Sequence, residues 1–108
     1  MNYSEQQIQD FGEEILKVLK TIYDPEIPVD IYELGLIYDV QVSTDGNAQI
    51  LMTLTSPNCP VAESLPLEVE EKITSIEGII STKVTLTFEP TWTKDLMSEE
   101  AKFELGFL

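Results

Sequence analysis

The chain has 108 residues, of which twenty are acidic and six basic, giving a formal net charge of −14 with no histidine. All six cations are lysines. This balance argues strongly against a phosphate-backbone binder, which needs clustered Lys or Arg, and it disfavours anionic membrane surfaces. The missing histidine removes Ser-His-Asp and Cys-His nucleophile pairs and every histidine-bearing zinc site.

The length fits one domain, taken as residues 1–108, with 90–108 as a C-terminal tail. No apolar run approaches the roughly 20 residues that span a bilayer, and the N-terminus shows no secretory pattern. A single cysteine forbids an internal disulfide. The expected compartment is therefore the cytoplasm, and the expected partners exclude nucleic acid and membrane.

Ser4-Glu5-Gln6-Gln7 has the form of a capping box. Ile8, Phe11, Ile15, Leu19 and Ile22 follow at helical spacing and predict an amphipathic helix over roughly residues 5–22. Asp24-Pro25 ends it, because the residue before proline is pushed out of the α region, and residues 23–30 read as loop. From Ile31 the period becomes two, with Leu36, Tyr38, Val40 and Val42 on one face. Thr44-Asp45-Gly46-Asn47 is a turn signal, and Ala48, Ile50, Met52 and Leu54 then alternate inward. The two runs predict a β-hairpin.

Val61 to Glu77 reads as helix, with Leu65, Val69, Ile73 and Ile76 on its apolar face and Gly78 just past its end. Pro66 predicts a kink, or two helical pieces with Pro66 near the start of the second. Thr82 to Glu89 alternates again, with Val84, Leu86 and Phe88 inward. In the tail, Ser98 is a good N-cap for a short helix over about 99–105. The order α-β-β-α-β-α predicts an α/β (α+β, two-layer) fold: a small three-stranded sheet with helices on one face.

Cys59 is the only soft-ligand thiol. Pro60 suits the first position of a helix, which places Cys59 at or just before an N-cap. Unpaired backbone N–H groups and the dipole favour a thiolate there, competent as a nucleophile and soft-metal ligand. The alternative is a small buried cysteine, inert in the core. In Asp24-Pro25-Glu26, two carboxylates flank a stiffening proline. They can ligate a hard metal or accept a proton, or serve as a turn residue and a solvated charge. The hydroxyls of Thr55 and Ser56 can orient a ligand or cap the following helix.

Asp24-Pro25-Glu26, Tyr32-Glu33-Leu34-Gly35-Leu36-Ile37 and Thr55-Ser56-Pro57-Asn58-Cys59-Pro60, in this order, resemble the SufT/PaaD-like family of iron–sulfur assembly factors. The tail Pro90-Thr91-Trp92, with Ser98-Glu99-Glu100-Ala101-Lys102 and Leu105-Gly106, looks like the stand-alone SufT type. PaaD-like members continue into a cysteine-bearing segment not seen here. The resemblance implies a non-enzymatic accessory factor that helps deliver or install clusters on client proteins. It makes Cys59, Asp24, Glu26, Thr55 and Ser56 the candidate site, with Cys59 as a transient ligand of iron or of an iron–sulfur cluster. The implied partners are iron–sulfur assembly proteins and apo clients.

Clusters usually take four cysteines or a mixture including histidine, so one thiolate per chain predicts no cofactor stably bound in a monomer. Three arrangements remain: a cluster shared across a homodimer, transient iron or cluster held with a partner's cysteines, or a metal-free protein–protein adaptor.

Overall fold

The computed structural model describes residues 3–23, 27–55 and 64–106. Helix α1 (Glu5–Leu19) leads into strands β1 (Ile37–Val42) and β2 (Asn47–Met52), helix α2 (Ser64–Thr74), strand β3 (Ser81–Leu86), a 3₁₀ turn (Lys94–Leu96) and helix α3 (Glu99–Glu104). The sheet order is β1-β2-β3. β1 and β2 form the antiparallel hairpin, whereas β2 and β3 run parallel and are joined by the α2 crossover, as parallel neighbours require. The predicted element order and three-stranded sheet are met.

The capping box closes as its sequence dictates. Gln7 N–H donates to Ser4 Oγ at 3.2 Å, and Ser4 N–H donates to Gln7 Oε1 at 2.8 Å. α1 stops at Leu19 rather than at 22, because the chain tightens there. Thr21 donates both its N–H and its hydroxyl to the Val18 carbonyl, at 2.9 and 2.6 Å. Those short-range bonds satisfy a carbonyl that a further α turn would otherwise use.

Ile15, Leu19 and Ile22 from the α1 side meet Ala48, Ile50 and Met52 of β2 and Leu65, Val69 and Ile73 of α2 in one core. The opposite sheet face carries the exposed Asp39, Gln41, Gln49 and Lys83. That alternation is the signature of a sheet covered on one side.

Three local expectations are corrected. Residues 31–35 form a turn and not the start of a strand. The Asp30 carboxylate accepts the Glu33 N–H at 3.0 Å and the Asp30 carbonyl accepts the Leu34 N–H, a local side-chain and backbone cap that competes with the ladder. In β1 the register shifts between Ile37 and Asp39, so Ile37 packs on the core. Tyr38 instead points its hydroxyl to the Pro90 carbonyl, at 2.7 Å; an extra residue in one strand reverses the faces locally. β3 ends at Leu86, and Phe88 is 37% exposed rather than inward.

Pro66 lies in the first turn of α2 as described, where a missing N–H costs least; the start of the predicted helix, at 61–63, lies outside the described residues. Gly78 follows the helix with φ +99°, the left-handed conformation that glycine adopts most cheaply.

Ser98 caps α3 by accepting the Ala101 N–H at 3.1 Å. The tail is pinned to the 31–35 turn. Trp92 Nε1–H donates to the Leu34 carbonyl at 2.7 Å, Ser98 N–H donates to the Glu33 carbonyl at 2.9 Å, and Met97 and Ala101 are buried. Gly35, at φ +80°, makes this approach possible, since a Cβ there would collide with the Leu96 carbonyl oxygen. No helix among the described residues is long and apolar enough to cross a membrane.

Candidate functional site

Of the five residues singled out from the sequence, Thr55 is described; Asp24, Glu26, Ser56 and Cys59 lie outside the described residues. Thr55 is half-buried and follows a stretch, Met52 to Leu54, that is wholly inside. β2 therefore carries the chain through the core and releases it to the surface at Thr55. β2 and β3 are parallel and end side by side at Met52 and Leu86. The Thr87 N–H still reaches the Met52 carbonyl, at 2.9 Å. In α/β sheets, ligands gather outside the carboxyl ends of such strands, and Thr55 stands at that end.

The flanks of the two candidate segments are tied together by backbone. Ile31 N–H donates to the Ile22 carbonyl at 2.9 Å, Leu36 N–H to the Ile31 carbonyl at 3.1 Å, and Thr53 N–H to the Leu36 carbonyl at 2.8 Å. Tyr23 and Asp30 add an antiparallel bridge at the neck of the first loop. Ile22, Ile31, Leu36 and Thr53 are all fully buried. One buried relay of backbone hydrogen bonds thus leads from two residues before Asp24 to two residues before Thr55.

Pattern reading passed over this frame, because Ile31, Leu34 and Leu36 do not sit on one regular face. The signal was the density of large apolar residues in Ile31-Tyr32-Glu33-Leu34-Gly35-Leu36. Thr53 is the one buried polar side chain among the described residues, and its hydroxyl donates to the Leu54 carbonyl at 3.4 Å. Among the described residues, no group of three His, Cys, Asp or Glu converges to hold a metal ion.

Comparisons with known proteins agree with the family resemblance. The model of a family described as "Iron-sulfur cluster assembly protein" matches residues 12–86. A protein of Porphyromonas gingivalis, "Fe-S protein maturation auxiliary factor", is 55% identical over 96 residues, covering 89% of this chain and 91% of its own length. The "Fe-S protein maturation auxiliary factor SufT" of Staphylococcus aureus is 41% identical, covering 79% of this chain and 97% of its own length. Among solved structures, the crystal structure of a domain of unknown function, DUF59, from Bacillus anthracis superposes with a TM-score of 0.88 at 34% identity. That superposition covers 97% of this chain and 100% of the other.

Proposed function

Because the chain belongs to the iron–sulfur cluster assembly protein family, we propose that it is an auxiliary factor in the maturation of iron–sulfur proteins, acting through Cys59. The observation that carries this reading is the near full-length similarity to a relative named for that role. The backbone relay supports the choice of site, since it holds the approaches to both motif segments in one rigid frame.

The cluster is cargo here, not a resident group. Cys59 supplies one thiolate, nucleophilic and suited to iron. The remaining ligands come from a client, a donor or a second copy of the chain, because four are needed. Asp24 and Glu26 are poor substitutes for thiolate on iron. Their negative charge also opposes ionisation of a nearby thiol, so their role is to orient or to take up a proton. Thr55 and Ser56 position the approach to Cys59 with their hydroxyls. The role is non-catalytic, its partners are iron–sulfur assembly proteins and apo clients, and its setting is the cytoplasm. Residues 1–108 work as one domain with its tail folded back on it.

The test is Cys59→Ser in cells. Activity of cluster-dependent enzymes should fall to the level seen when the whole protein is removed, while circular dichroism and the melting temperature of the purified variant stay unchanged. Unchanged cluster-enzyme activity would overturn the thiolate role and leave the metal-free adaptor. Anaerobic purification with iron and sulfide quantification, wild type against Cys59→Ser, separates a carrier from an adaptor directly.

A further inference from the structure

On the side of the molecule formed by the end of α1, the 27–33 loop and α3 lies an open groove of about 300 Å³. Its floor is apolar and buried: Val29 and Ala101, with Pro28 beside them. Among the described residues, its rim carries four carboxylates, Asp30, Glu33, Glu100 and Glu104, against one ammonium, Lys20. Tyr23, 55% exposed, stands at the edge.

The rim charges differ in what already holds them. Asp30 accepts the Glu33 N–H. Lys20 is directed to Glu33 at 3.9 Å and lies over the Tyr32 ring, 5.4 Å from its centre. Among the described residues, Glu100 and Glu104 have no ion-pair partner. They sit four apart on α3 and line the same groove, a spacing at which like charges repel. Glu104 also lies at the C-terminal end of α3, where the helix dipole disfavours an anion. A cation between them would relieve both costs. A bare metal ion does not fit, since no three of these carboxylates converge.

A long basic side chain does fit. Its methylene stem would lie on the Val29–Ala101 floor while its charged head reaches the rim, and the exposed Tyr23 ring offers a face for cation–π contact. We propose that this groove is a docking site for an arginine- or lysine-bearing segment of a partner protein. The proposal rests on the reading of the chain as a factor that works against other proteins, but it does not involve Cys59. α3 lies beyond the 12–86 family match, so the tail supplies one wall of the site.

The test is amide-resolved NMR titration of the full chain with acetylated pentapeptides carrying a central arginine, lysine, norleucine or glutamate. The arginine and lysine peptides should give saturable shifts at Tyr23, Asp30 and Ala101; the norleucine and glutamate peptides should give none. The double variant Glu100→Gln/Glu104→Gln, which alters exposed side chains only, should weaken binding about fivefold or more. Shifts spread evenly over the acidic surface, equal binding by the norleucine peptide, or affinity unchanged in the double variant would each overturn the proposal. Since the Cys59→Ser experiment reads cluster-enzyme activity and this one reads peptide binding through Glu100 and Glu104, failure of either is distinguishable from failure of the other.

Discussion

At the scale of single residues, Gly35 is the least replaceable position described. Its φ of +80° and its contact with the Leu96 carbonyl leave no room for a Cβ. Gly35→Ala should lower stability by about 1–3 kcal/mol from backbone strain alone, read as a lower denaturant midpoint, with the tail displaced. Trp92→Phe isolates a single bond. It keeps most of the packing and removes the Nε1–H that reaches Leu34, so it should cost about 1 kcal/mol. Its NMR signature should be confined to the Leu34 region and the tail. Ser4→Ala removes the Oγ that accepts the Gln7 N–H, leaving only the backbone arm of the capping box, and should cost about 1 kcal/mol of helix α1.

At the scale of elements, α2 is the piece that holds two strands together, because it bridges the parallel pair β2 and β3. Ile73 is fully buried in its inner face, and Ile73→Ala should cost about 2–5 kcal/mol, measured by urea unfolding. The regular elements were legible because each reports itself locally. The capping box, the 3.6 and 2.0 periods and the Asp45-Gly46 turn depend on neighbours within a few residues. What escaped depends on distant partners. The shift between Ile37 and Asp39 is a matter of pairing with β2, and Tyr38 then reaches Pro90, 52 residues away. Trp92 meets Leu34 across 58 residues. The groove unites Asp30 with Glu104, and no periodicity links those two. For the proposed site, the motif order points to Cys59 and its companions, while the frame that leads toward those segments, Ile22 to Thr53, consists of backbone bonds that side-chain patterns do not encode.

At the scale of the whole molecule, the net charge of −14 acts on everything. Self-repulsion of that size weakens the compact state and is screened by salt. Raising sodium chloride from low to about 0.5 M, where the Debye length is only a few ångströms, should therefore stabilise the fold by about 1 kcal/mol. For a domain near 100 residues this is a rise in melting temperature of about 4 °C or more. A flat or falling melting temperature would show that the acids are spaced widely enough not to burden the fold. The same salt should weaken peptide binding at the α3 groove, so stability and docking should respond in opposite directions.

The relay from Ile22 through Ile31 and Leu36 to Thr53 makes the necks of two separate motif segments one mechanical part. Its three amides lie in the fully buried interior, so they should exchange their hydrogens together and only when the core opens as a unit. A partner that grips the chain beside Ile22 thereby also sets the footing of the strand that leads to Cys59. The proposed site then needs no hinge between its two segments, because buried backbone bonds fix the neck of one to the neck of the other.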